Sequence, residues 1–179
     1  MKRLTLLRHA KSDWDDPVAR DFDRPLNRRG EKAAQLMGQF AQSRGMRFDL
    51  LVASPAVRVV QTLETFFVGY GETIDPRWDR RIYLASAPTL FDVIRDLPES
   101  AGSVLMAGHN PGLEELILDL VPDGTGPLRE DVEVKFPTAS IAELDLPIDR
   151  WTEAKPDIAT LASFTRPRDL DPALGPGSR

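Results

Sequence analysis

Short apolar runs of strand length alternate along this chain with longer stretches in which apolar residues recur every three or four positions. That alternation restricts the fold more than any other feature, because strands that alternate with helices form a sheet covered on both faces. Arg3 to Leu7 reads as a buried strand, and Glu31 to Arg44 as a helix carrying Ala33, Leu36, Met37, Phe40 and Ala41 on one face, stopped at Gly45. Asp49 to Ala53 is a second strand. Ser54 is expected to cap, and Pro55 to begin, a second helix with Val59, Val60, Leu63, Phe66 and Phe67 as its apolar stripe, closing at Gly69 to Gly71. Pro88 begins a third helix that ends near Pro98, and Ser103 to Ala107 is again a buried strand. Asn110-Pro111 starts a fourth helix, with Leu113, Leu116, Ile117, Leu120 and Val121 on one face and Pro122-Asp123-Gly124 at its end. Beyond a Gly/Pro loop, Ser140 to Leu146 alternates as a strand near the sheet edge, and Trp151 to Ala154 is expected to pair with it. The expected architecture is a three-layer α/β/α sandwich with a mostly parallel central sheet and an antiparallel edge. Residues 1–165 are expected to form one domain and 166–179, rich in Pro, Gly and Asp, a mobile tail.

Composition narrows the chemistry. The sequence has no cysteine, which excludes disulfides, thiolate nucleophiles and thiolate metal sites, and its two histidines are too few for an all-histidine zinc site. No metal or cofactor is expected. A formal charge of −5 argues against wholesale nucleic-acid binding, so any anion must be met by arginines gathered locally. No apolar run approaches the roughly 20 residues of a membrane span. Met1-Lys2-Arg3 leads into only four apolar-compatible residues before Arg8 and His9, so no signal peptide and a cytosolic location are expected.

Both histidines sit where a predicted strand ends, in Leu6-Leu7-Arg8-His9 and Ala107-Gly108-His109. The carboxyl ends of parallel strands open on the ligand crevice of an α/β fold, so the two rings are candidates for one site. Arg8 beside His9 is an odd pair for a core, because the guanidinium keeps its charge and repels a protonated ring; an oxyanion between them resolves the conflict. Arg58 falls in the first turn of the second helix, where the helix dipole disfavours a cation by about 0.3–1 kcal/mol. A cation there invites an anion. Gly108-His109-Asn110-Pro111-Gly112 marks another strand-to-helix junction, and Gly112 admits a ligand or a neighbouring backbone. Each motif alone is also at home as a solvated strand end, a snorkelling arginine or a capping histidine. Together, Arg8, His9, Arg58 and His109 supply the cations and imidazole that phosphoryl transfer through a phosphohistidine requires.

These residues resemble the histidine phosphatase superfamily, with its phosphoglycerate mutase-like fold. Leu7-Arg8-His9-Ala10 stands for the Arg-His-Gly signature, and Leu26-Asn27-Arg28-Arg29-Gly30, Ser54-Pro55-x-x-Arg58 with Gln61-Thr62, and Gly108-His109 follow in the family's order. Arg8-His9-Ala10-Lys11-Ser12-Asp13-Trp14, Asp21-Phe22-Asp23-Arg24-Pro25-Leu26, Ile82-Tyr83-Leu84-Ala85-Ser86 and Gly108-His109-Asn110-Pro111 are similar to SixA-type phosphohistidine phosphatases. The resemblance implies His9 as nucleophile, Arg8 and Arg58 as phosphoryl ligands and His109 as phosphoryl ligand and transition-state stabiliser. Ser12, Asp15, Arg24 and Asn110 are expected to contact substrate.

Two departures stand out. Ala10 replaces the usual glycine, which is tolerable if its φ is negative. Mutase-type members carry a glutamate acid shortly after the third strand, whereas this chain has Arg80-Arg81-Ile82-Tyr83 there. An alkoxide leaving group needs a proton, but a phosphohistidine whose ring is already protonated leaves as neutral imidazole, so P–N substrates are favoured. Asp15, Asp21, Asp23 and Asp79 are the loop acids that could still serve, and the same acidic loop reads equally as solvated surface. The expected partner is a phosphorylated protein. The alternatives are a small phosphoester such as a sugar phosphate or nucleotide, and a non-catalytic phosphoryl-binding module. Trp14, Trp78 and Trp151 read as core or rim.

Overall fold

The computed structural model describes residues 1–18 and 20–175. Four parallel strands form most of one sheet: β1 (Lys2–Arg8), β2 (Leu50–Ala53), β3 (Pro76–Trp78) and β4 (Ser103–Gly108). Two more, β5 (Ile141–Leu146) and β6 (Thr160–Thr165), complete the order β3-β2-β4-β1-β5-β6. β5 runs antiparallel to both β1 and β6, so the mixed sheet has its parallel part on one side and an antiparallel pair on the other.

Strand alternation assigns side chains to the two faces. Leu7, Leu51, Ala53, Leu105 and Ala107 pack against α1 (Arg28–Ser43) and α2 (Val57–Tyr70), with Met37, Leu63 and Phe66 buried between. Leu4, Leu6, Val52, Val104 and Met106 face α3 (Ala87–Arg95), α4 (Gly112–Leu120) and α5 (Pro127–Val134), contributing to a cluster with Ile94, Leu116 and Ile117. The expected three layers are present.

Several expectations change in detail. α1 begins earlier than predicted because the Asn27 side chain accepts from the Gly30 amide at 2.8 Å. α2 begins later, at Val57, with Ala56 rather than Ser54 at its cap; the Ser54 hydroxyl accepts from the Ala56 amide at 3.3 Å and pairs with His109. Trp151 to Glu153 form a 3₁₀ turn rather than a strand, with the Trp151 indole fully buried and donating to the Ala101 carbonyl at 2.7 Å. β6 takes the place beside β5 that Trp151 to Ala154 was expected to fill. The Gly/Pro loop contains α5, and β3, a three-residue strand, carries no apolar pattern.

The tail expected from Arg166 onward is built as far as Gly175. α6 (Pro167–Leu170) starts at a proline, its Asp169 carboxylate accepts from the Arg166 amide at 2.8 Å, and Arg29 donates to the Gly175 carbonyl at 2.7 Å. Residues 176–179 lie outside the described residues. No described helix is long and apolar enough to cross a membrane.

Candidate active site

β2, β4 and β1 are adjacent and parallel, so their carboxyl ends open side by side. Arg8 ends β1, Ser54 follows β2 and His109 follows β4. Backbone bonds fix the three exits to one another: the His9 amide donates to the Gly108 carbonyl at 3.0 Å, and the Ser54 amide to Ala107 at 3.1 Å. Arg8, His9, Arg58 and His109 therefore converge on one pocket of about 380 Å³, together with Ser12, Arg24 and Asn110.

His9 is 8% exposed, and its Nδ1 lies 2.7 Å from the Ala10 carbonyl oxygen. A carbonyl only accepts, so Nδ1 carries the proton and Nε2 keeps its lone pair. Among the described residues Nε2 has no hydrogen-bond partner, and it keeps accessible surface on the pocket that His9 lines. The neighbouring loop is held in turn. The Ala10 amide donates to Thr62 Oγ1 at 2.9 Å, Thr62 Oγ1 donates to the Arg58 carbonyl at 2.6 Å, and Ala10 is not among the residues with positive φ, so it stands in for glycine without strain.

The His109 ring lies 5.3 Å from that of His9, centroid to centroid, and is fixed by Ser54 Oγ at 2.7 Å from its Nε2. Gly112 is needed for the backbone rather than for a ligand, because a Cβ there would lie 2.1 Å from the Ala85 carbonyl oxygen. Burial, reinforced by the charges of Arg8 and Arg58 among others, pushes both histidines down from 6.5 to about 3. Both rings are neutral at pH 7.

Arg58, only 2% exposed, donates to the Asp21 carbonyl at 2.8 Å and to its carboxylate at 2.9 Å. Arg24 is also buried: it donates to Ser12 Oγ and, at 2.6 Å, to Asp21, and it stacks 3.5 Å from the Trp14 ring centroid. Arg8 donates to the Phe136 carbonyl at 3.1 Å, and Asn110 donates to the same carbonyl at 2.8 Å. Among the described residues, five buried side-chain polar atoms lack a partner, and Arg8 Nε, Arg58 Nε and His109 Nδ1 are three of them. Such orphans each cost about 1–3 kcal/mol, and three of the five fall on side chains that line this pocket.

The loop acids are occupied. Desolvation pushes the Asp21 carboxyl up, but hydrogen bonds from Arg24, Tyr83 and Arg58 outweigh it and hold the group well below the usual carboxylate range. Arg81 likewise holds Asp79 down, and Asp23 pairs with Arg20 at 2.8 Å. Asp15, expected to contact substrate, is exposed and outside the pocket; its amide bends back to the Asp13 carboxylate at 3.0 Å, the local bond that Asp favours in a turn. Sequence reasoning quoted Thr62 and Tyr83 within family motifs without assigning either a role, and it did not find the linking role of Asp21. The placement of Thr62 one turn after Arg58 was the available signal. No described group of three or more His, Asp and Glu residues is arranged to hold a metal ion.

Residues 4–81 match the histidine phosphatase superfamily (branch 1) model. Uncharacterized protein Rv1276c of Mycobacterium tuberculosis is 33% identical over 164 residues, covering 90% of this chain and all of the relative. Among solved structures, SixA of Agrobacterium tumefaciens, which carries the name phosphohistidine phosphatase, superposes with a TM-score of 0.77 at 30% identity, over 92% of this chain and 97% of that one. A SixA protein of the same designation from Nakamurella multipartitia gives a TM-score of 0.79 at 26% identity, over 93% and 96% of the two chains.

Proposed function

The chain belongs to the histidine phosphatase superfamily (branch 1), and on that premise we propose that it is a phosphatase acting through a phosphohistidine at His9, with phosphohistidine in a protein as its substrate. The observation that carries the reading is the state of His9: a neutral ring, its Nδ1–H held by the Ala10 carbonyl and its Nε2 free, set among Arg8, Arg58 and His109.

In the first half-reaction, the Nε2 lone pair attacks phosphorus in line with the leaving nitrogen. The P–Nε2 bond forms, the substrate P–N bond breaks, and its electron pair returns to the substrate imidazole. That ring leaves neutral if its other nitrogen is already protonated. Arg8 and Arg58 offset the charge on the equatorial oxygens, and the neutral His109 ring lines the same pocket. Water then attacks phosphorus, the P–Nε2 bond breaks with its electron pair returning to His9, and the neutral ring is restored as both water protons leave on the product, H2PO4−.

The same site explains the choice of leaving group. An alkyl phosphate needs a proton donor worth about 10²–10⁴ in rate, and the carboxyl groups near the pocket are engaged by arginines or face away from it. Ser12, Arg24 and Asn110 are proposed to contact substrate at the pocket wall, and a cytosolic location belongs to the same reading. The test is twofold. Wild type should form an acid-labile phosphoenzyme that His9→Ala does not, and kcat/KM for a phosphohistidine peptide should exceed that for an alkyl phosphate at least a hundredfold. No trapped phosphoenzyme refutes the nucleophile, and faster alkyl cleavage refutes the substrate class.

A further inference from the structure

A second cavity of about 390 Å³ adjoins the catalytic pocket and shares Arg8, Lys11 and Thr138 with it. Its other cations are Arg29, Lys135, Arg166 and Arg168, an unusual gathering in a chain of net charge −5. Among the described residues only Arg166 of this set has a carboxylate partner, Asp169 at 2.9 Å. Arg29 is satisfied by the Gly175 carbonyl, and Lys11, Lys135 and Arg168 are exposed with no ion pair among the described residues.

We propose that this cavity docks an acidic segment of the same phosphorylated protein whose phosphoryl group enters at His9. The inference rests on the phosphohistidine phosphatase reading and adds the chemistry of the partner. The form of the groove favours a protein over a small polyanion. A site for a small anion holds it with buried, converging donors, whereas three of the cations here stand on the rim on long flexible stems, where carboxylates of an approaching surface meet them. The floor is apolar at Ala33, Pro167 and Leu174, suited to the stems of a peptide rather than to a second phosphate. Continuity through Arg8 and Lys11 lets one chain reach both places. Complementary charge of this kind acts chiefly on encounter and KM.

The test compares phosphohistidine peptides flanked by Asp and Glu, by Ala or by Lys, with phosphoimidazole as a substrate too small to reach the groove. The enzymes are wild type, the Lys135→Gln/Arg168→Gln pair and the Lys135→Glu/Arg168→Glu pair. Each exposed charge pair is worth roughly a 1.5- to fivefold change in affinity. Wild type should therefore prefer the acidic peptide over the Ala peptide by about tenfold, through KM, and the preference should shrink between 50 and 300 mM salt, on the order of the change in screening length. The Gln pair should lose most of that preference and the Glu pair should favour the Lys peptide, with phosphoimidazole turnover unchanged in both.

Equal use of the three peptides, or a preference that survives both variants, overturns the proposal. So does a variant that loses turnover of a sugar bisphosphate while keeping its preference among peptides, which assigns the groove to a small polyanion. Failure of wild type on phosphoimidazole refutes the phosphatase reading separately. In that case the groove is read by calorimetric binding of the unphosphorylated acidic peptide: binding lost in the Gln pair supports docking, and absence of binding to wild type refutes it.

Discussion

Lowering the pH from 6.5 to 5 is expected to destabilise this protein by about 3 kcal/mol, and the two active-site histidines are the cause. His9 and His109 are 8% and 3% exposed, and their folded-state values lie at about 3 against 6.5 for a free imidazole. Above pH 6.5 both rings are neutral in either state and the shift has no effect on stability. As the pH falls through 6.5 the unfolded chain takes up protons that the folded chain refuses, so stability drops continuously until about pH 3. Integrated from 6.5 to 5, the difference is about 1.7 kcal/mol for each ring. The figure hardly depends on how far below 5 the folded value lies. Carboxylates held down by arginines, such as Asp21 and Asp79, contribute only nearer their unfolded value of 3.8, so this window isolates the histidines. Urea unfolding at half-unit pH steps reads the slope, which a His9→Asn/His109→Asn variant should largely lose. In parallel, nitrogen-15 spectra of the two imidazoles should show His9 as the Nδ1–H tautomer with no titration between pH 8 and 4.5. A ring titrating near 6.5, or a flat stability profile from 6.5 to 5, refutes the reasoning and with it the neutral nucleophile.

Thr62→Val removes the acceptor of the Ala10 amide and should cost about 1–3 kcal/mol in urea unfolding, with kcat falling as the Ala10 carbonyl loses its hold on His9. Gly112→Ala places a methyl group 2.1 Å from the Ala85 carbonyl oxygen and should destabilise by about 1–3 kcal/mol while lowering activity through His109; thermal unfolding and kcat/KM read both. Asp21→Asn should reduce kcat on a phosphohistidine peptide by less than tenfold and lower the inhibition constant of inorganic phosphate, whereas loss of a general acid would cost about 10²–10⁴. Molybdate should inhibit at least tenfold more strongly than perrhenate, its singly charged tetrahedral analogue, at equal ionic strength; equal inhibition contradicts a site built for a dianion.

The layered fold was legible because core-facing residues kept their periods: Leu4 and Leu6 against Leu7 on β1, and the Leu113, Leu116, Ile117 and Leu120 stripe of α4. Elements that bury little were invisible. α5 buries only Val132, and β3 is a three-residue strand beginning with proline. Proximity along the chain suggested Trp151 as the partner of β5, but a single indole hydrogen-bonded to Ala101 is worth more buried than in a short strand, and β6 comes from farther on. The site was legible where side-chain chemistry was anomalous for its position, as at Arg8, His9, Arg58 and His109. It was not legible where the role was to hold another group. Ser54 looks like a helix cap and Thr62 like a helix residue until the His109 ring and the Ala10 amide are placed beside them. Asp15 was assigned to the site by its neighbours in sequence alone, and the turn carries it away.

Charge balance links these placements to the reaction. Three guanidinium groups, Arg8, Arg24 and Arg58, line the pocket against one carboxylate, Asp21, while both histidines are neutral; the guanidinium excess is two charges, and the exposed Lys11 ammonium adds a third at the rim. Guanidinium cannot shed its proton to relieve the excess, so the enclosed site is completed by an anion of two charges. On the proposed mechanism a phosphoryl dianion meets that requirement in the substrate and in the His9 adduct, and the attack of water delivers H2PO4−, which regains its second charge on losing a proton to solvent. Asp21, on the pocket wall, keeps the guanidinium excess from reaching three. A carboxylate there lowers the cost of a protonated imidazole in that position and raises it for a further phosphate or an alkoxide. On the proposed reading, the pairing of the loop acids Asp23 and Asp79 with arginines and the presence of an ionised Asp21 act in the same direction, toward a leaving group that arrives with its own proton.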